Sequence, residues 1–103
     1  DIELIRDKVI KIRHKFLSEK EINCAGEDAE KLTTYWAAKE AVYKAYGLKK
    51  VDFIRHIEVE DMNEKNEFIA RLNVPGKKFT YVMKKERIGD HVMVYVLRTL
   101  ANA

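Results

Sequence analysis

The sequence predicts an α+β fold: two main helices packed on an antiparallel sheet of about four strands. Three observations carry this. Apolar residues recur at helical spacing through the first half, they alternate with polar residues after Val51, and turn signals rather than helical crossovers separate the alternating runs. Ile5, Val9, Ile12 and Phe16 lie at i, i+4, i+7 and i+11, which predicts a first amphipathic helix from about Arg6 to Leu17. Ser18, with Glu21 three residues later, has the spacing of a capping box and predicts a short helical turn before the polar stretch 23–28. The second long helix is expected from Asp28 to Tyr46. Asp28 and Glu30 suit its positive end, and Gly47 can take the left-handed conformation that stops it.

Beyond the helices, Ile57 and Val59 form one alternating set, Phe68, Ala70 and Leu72 a second, Phe79, Tyr81 and Met83 a third, and Val92, Val94 and Val96 a fourth. Residues 61–66, Val74-Pro75-Gly76-Lys77 and Gly89-Asp90 supply the reversals between them. With 103 residues and no internal repeat or linker, the expectation is a single domain over 1–103.

Hydrophobic residues make up 47% of the chain and charged residues 36%, nearly balanced in sign, which favours a folded core over disorder. No apolar run approaches the roughly 18 residues of a membrane span and no secretory signal is visible, so the chain reads as soluble and cytoplasmic, without a membrane partner. Twenty Lys and Arg against 17 Asp and Glu give a net charge of +3, a bias towards anionic partners but too small an excess to mark a dedicated nucleic-acid binder. A face built from Lys49-Lys50, Lys77-Lys78 and Lys84-Lys85 with Phe79 and Tyr81 keeps a small basic nucleic-acid-binding domain as a minor reading. The lone Cys24 excludes an internal disulfide and a thiolate zinc cluster, and His14, His56 and His91 lack ligand spacing.

Lys39 is the odd residue. It projects from the middle of an apolar arc formed by Leu32, Tyr35, Trp36, Val42, Tyr43 and Tyr46. An unpaired buried ammonium is very costly, so Lys39 must snorkel, find a carboxylate or line a groove that receives an anion. Glu40 and Lys44 stand at i and i+4, the spacing of a surface ion pair. Asp1 and Glu3 are two residues apart, so on an extended strand both carboxylates face one side and can share one hard cation.

Three segments, Asp1-Ile2-Glu3, Phe16-Leu17-Ser18-Glu19-Lys20-Glu21 and the run Trp36-Ala37-Ala38-Lys39-Glu40-Ala41-Val42-Tyr43-Lys44-Ala45-Tyr46-Gly47, resemble in order and separation the signatures of the 4′-phosphopantetheinyl transferases. The resemblance covers about the first half of the chain. It implies transfer of the phosphopantetheine arm of coenzyme A to a serine of an acyl, peptidyl or aryl carrier protein, with release of adenosine 3′,5′-bisphosphate and magnesium as the usual metal. By the same resemblance Asp1, Glu3 and Glu40 are the metal set, Glu40 also accepts the serine proton, and Lys44 and Lys39 contact the phosphates of coenzyme A. Trp36 and Tyr43 are expected to pack the helix against the sheet.

The short spacing of Asp1 and Glu3 is similar to that of the two-repeat, surfactin-synthetase-activating type more than to that of the small trimeric holo-acyl-carrier-protein synthase type. The chain opens directly in this motif, so the expectation is the C-terminal half of a two-repeat member, trimmed upstream. Such a half would self-associate through the face that its partner covered. Arg6, Lys8 and Lys11 are the candidates for steering an acidic carrier protein. The alternative within the same fold is a catalytically incomplete fragment, or a module that binds coenzyme A or anions without turnover.

Overall fold

The computed structural model describes residues 1–47 and 49–100. Five antiparallel strands form one sheet: β1 (Ile2–Leu4), β2 (Ile57–Val59), β3 (Glu67–Val74), β4 (Lys77–Ile88) and β5 (His91–Leu100), in the spatial order β1-β5-β4-β3-β2. Helices α1 (Lys8–Ile12), α2 (Glu19–Ala25) and α3 (Ala29–Ala45) cover one face, and α3 touches every strand. The expected α+β layout is therefore present. None of the helices among the described residues is long and apolar enough to cross a membrane.

The four alternating sets are β2 to β5. Their inward residues meet in rows, Ile57 opposite Leu72 opposite Phe79 and Val59 opposite Ala70 opposite Tyr81, so each strand presents its apolar side to the helices. The β3–β4 connection needs only Pro75 and Gly76, because proline presets the first corner and Gly76, at φ 80°, takes the second without a Cβ penalty. Between β4 and β5 the register slips at Val82/Met83: Val82 pairs with Arg98 and Met83 with Val96, leaving Leu97 unpaired in a bulge.

The fifth strand, β1, lies outside the four expected. It pairs with β5 through Glu3 opposite Val92, and Val94 N donates to Asp1 O at 2.7 Å to extend the ladder. Its pattern is inverted: Ile2 and Leu4 are exposed while Asp1 and Glu3 are half-buried on the helix side. The outer face near this edge carries Ile2, Leu4 and Ile88 exposed, the surface at which the expected self-association would be sought.

The first helix is shorter than its periodicity predicts. It unwinds after Ile12 into a 3₁₀ turn, Arg13–Lys15, in which Phe16 N donates to Arg13 O at 3.3 Å. Ser18 supplies the reason. To cap α2 it must be extended, at φ −72° and ψ 165°, so the preceding helix has to end first. The capping box is formed in full, with Glu21 N donating to Ser18 Oγ at 3.3 Å and Ser18 N donating to Glu21 Oε1 at 2.8 Å.

Helix α3 follows its expected limits. Asp28 Oδ1 accepts from Lys31 N at 3.1 Å, and Gly47 leaves at φ 90°. Its burial is wider than the apolar arc: Thr33 and Thr34 are buried too, each hydroxyl satisfied by a carbonyl one turn back, Ala29 O and Glu30 O. Trp36 and Tyr43, expected against the sheet, make their ring contacts with residues outside it. Trp36 meets Phe16 edge-on at 5.0 Å between centroids, and both Trp36 and Tyr43 meet Phe53 in the 49–56 connection. Both half-buried rings therefore tie α3 to its flanking loops.

Candidate active site

Strand β1 and helix α3 bring together segments that are distant in the chain. Lys44 Nζ donates to Asp1 Oδ1 at 2.6 Å across 43 residues. The two partners differ in freedom: the Asp1 side chain is 8% exposed and that of Lys44 57%. Further along β1, Glu3 and Leu4 line a cleft of about 370 Å³ with Thr33 and Trp36 of α3, Phe16, and the basic Arg6 and Lys8. Asp1 thus meets the end of α3 and Glu3 its first half, so the strand runs antiparallel to the helix. Half-buried Glu40 lies on the helical stretch between these two meeting points, four residues after Trp36 and four before Lys44 on the same side.

The structure therefore gathers Asp1, Glu3 and Lys44 at one strand–helix seam with Glu40 beside them. It does not form a three-carboxylate cage: among the described residues, no group of three His, Cys, Asp or Glu is close enough to hold a metal ion by itself. Magnesium does not demand one. It dehydrates reluctantly and is commonly held by one or two carboxylates, with substrate phosphates and water completing its octahedron. The residues fit that pattern, because Asp1 Oδ2 is buried without a hydrogen-bond partner among the described residues and all the candidate donors are hard carboxylate oxygens.

Lys39 is enclosed. Its side chain is 0% exposed, and its Nζ donates to Glu21 Oε1 at 2.8 Å and to Phe53 O. Of the three possibilities open from the sequence, the carboxylate pair is the one realised. Burial pushes the Lys39 pKa down, opposed by the hydrogen bond and charge of Glu21. Glu21 is 2% exposed and also accepts from Val59 N at 2.8 Å through Oε2. One carboxylate thus joins the α2 cap, the middle of α3 and strand β2.

The Ser18/Glu21 spacing revealed the cap but not this second role, which needs partners 18 and 38 residues away. A second network also escaped the sequence. Glu30, in the first turn of α3, accepts from Lys85 of β4 and from Arg87 of the same strand. Lys85 projects inward from β4 and is buried, so it belongs to the helix–sheet interface rather than to a basic surface. Tyr81 is likewise buried, and half-buried Phe79 stacks between it and Tyr46. These rings are turned towards the core, not presented as a platform for bases.

Compared with models of known protein families, residues 1–96 match that of the 4′-phosphopantetheinyl transferase superfamily. No curated protein and no solved structure matches the chain.

Proposed function

The chain belongs to the 4′-phosphopantetheinyl transferase superfamily, and from that premise we propose that it moves the phosphopantetheine arm of coenzyme A onto a serine of an acyl or peptidyl carrier protein, with magnesium. The observation that carries this reading is the seam at which Asp1 and Glu3 face α3 and Lys44 reaches Asp1. A strand acid pair and a helical Glu/Lys pair meet there, which is the juxtaposition that charge control at a phosphoanhydride requires.

In the proposed reaction the serine oxygen forms a bond to the phosphorus that carries the pantetheine arm. The phosphoanhydride bond breaks, and adenosine 3′,5′-bisphosphate leaves with the bond's electron pair. Asp1 and Glu3, with Glu40, would hold the metal, whose chemistry when bound is to neutralise pyrophosphate charge. Glu40 accepts the serine proton, directly or through one water. Lys44 is exposed enough to reach a phosphate oxygen and offset the charge that develops on it. Arg6 and Lys8, at the cleft beside Glu3, with exposed Lys11 on α1, form the basic edge that would steer an acidic carrier protein.

The test is intact-mass analysis of an apo acyl carrier protein incubated with this chain, coenzyme A and magnesium, with Glu40→Gln in parallel. The expected result is a gain of one phosphopantetheine arm, with the rate falling about 10²- to 10⁴-fold in the variant. No gain, together with retained magnesium-dependent binding of coenzyme A, would replace transfer by the non-catalytic binding module. Loss of both would reject both readings.

A further inference from the structure

The Asp1–Lys44 pair satisfies only half of a buried carboxylate. Oδ1 accepts from Lys44 Nζ at 2.6 Å, and Oδ2 is buried with no hydrogen-bond partner among the described residues. A carboxylate has lone pairs on both oxygens, and burying one unsatisfied is costly unless a stronger partner uses it. The two ends of the pair are also unequal in mobility. Asp1 is pinned by Val94 N on its carbonyl and is 8% exposed, whereas Lys44 is 57% exposed on a four-carbon stem near the end of α3. If the pair opens, the lysine moves.

From this geometry we propose that Lys44 is a placeholder cation on Asp1. A divalent cation claims Asp1 by displacing the Lys44 ammonium, which is thereby released to the phosphate that accompanies the metal. The inference rests on the transferase reading and adds to it a partner exchange internal to this chain. A metal on Oδ2 and the ammonium on Oδ1 of the same carboxylate stand close enough to repel, so metal and ammonium compete for Asp1. An arriving pyrophosphate draws the ammonium away and so favours the metal. By thermodynamic reciprocity the metal favours the pyrophosphate equally. The site keeps its charges compensated throughout, since Asp1 always has a cation and Lys44 always has an anion.

The proposal makes a prediction of unusual sign: removing a positive charge from a phosphate-binding residue should tighten the metal. Mn²⁺ alone is the probe, titrated into the 103-residue chain without coenzyme A, with free Mn²⁺ read by electron paramagnetic resonance. Lys44→Gln should bind Mn²⁺ about two- to fivefold more tightly than the unmodified chain, the range expected for losing one partly exposed ion pair. Lys44→Arg, which can keep the pair, should stay within about twofold of the unmodified chain.

Lys15→Gln removes an exposed cation on the 3₁₀ turn, outside the site, and serves as the control for net charge. It should change binding by less than about twofold at ordinary salt. Equal tightening in Lys15→Gln and Lys44→Gln would overturn the exchange in favour of a diffuse field effect. No tightening in Lys44→Gln would overturn it outright. Carrier modification is scored separately by intact mass: transfer without the Mn²⁺ difference sinks the exchange alone, and the Mn²⁺ difference without transfer supports the exchange while sinking the transferase reading.

Discussion

Lys39 and Glu21 form an ion pair sealed inside the protein, Nζ to Oε1 at 2.8 Å, with side-chain exposures of 0% and 2%. Ser18 N and Val59 N share the same carboxylate. The pair therefore links α2, α3 and β2, and through Phe53 O it also fixes the connection that follows α3. Glu40 is the next residue on that helix.

Lys39→Met should destabilise the fold by about 3 kcal/mol, because it leaves a buried carboxylate without its cation. The double variant Lys39→Met/Glu21→Leu should remain destabilised, since Ser18 N and Val59 N then lose their acceptor at about 1–3 kcal/mol each when buried. Urea unfolding checks both. A double variant as stable as the parent would mean that the carboxylate serves only the lysine.

Ser18→Ala removes the hydroxyl that accepts from Glu21 N and should cost about 1 kcal/mol. Ser18→Asp, which keeps an acceptor, should lose much less. The comparison is made by denaturant midpoint at constant slope.

Glu30 predicts part of the acid sensitivity. Its hydrogen bond to Lys85 holds its carboxyl below the usual range, with the charges of Lys85 and Arg87 adding to the effect against a smaller opposing effect of burial. The folded pKa lies below the unfolded one, so the folded state gives up its proton more readily. The stabilisation is complete above the ordinary carboxylate pKa and is lost as pH falls through the folded value. The stability gap between the parent and Glu30→Gln should therefore narrow between about pH 6 and about pH 3. A gap independent of pH would show that the pairing with Lys85 and Arg87 adds nothing electrostatic.

Reversing the basic edge, Arg6→Glu with Lys8→Glu and Lys11→Glu, should slow modification of a carrier protein by about tenfold or more at low salt. Binding of coenzyme A, measured by calorimetry, should change little. Equal loss of both would move these residues from carrier steering to the coenzyme site.

Gly47→Ala tests the stop of α3. At φ 90° a Cβ is strained by the backbone alone, since among the described residues beyond its chain neighbours nothing lies within 4 Å of where it would stand. The expected cost is about 1 kcal/mol in thermal or denaturant unfolding.

Much of the architecture was legible in local pattern. Asp28, Glu30 and Gly47 marked the ends of α3 because caps act on amide and carbonyl groups within a turn, and strands β2 to β5 showed themselves by period-two alternation against a single apolar core. The first helix was read too long because its apolar repeat continues through Phe16, whereas the extended backbone that Ser18 needs as a cap overrides that repeat. Strand β1 was not counted because three residues carry little periodicity, and its apolar Ile2 and Leu4 face outward.

At the site, the order and spacing of the acid pair, the helical Glu40 and Lys44 and the family signatures were determined by sequence alone, since each depends on neighbours within a turn or a strand. Which cation meets which carboxylate was decided by the tertiary structure. Lys39 and Lys44 stand five residues apart on one helix, yet one is enclosed against Glu21 and the other reaches the surface beside Asp1. The 3.6-residue period turns them to different environments, and only the packing of β1, α2 and the 49–56 connection around α3 supplies the partners. An ammonium is drawn to whichever acceptor the fold brings within about 3 Å, a distance that chain separations of 18 and 43 residues leave undetermined.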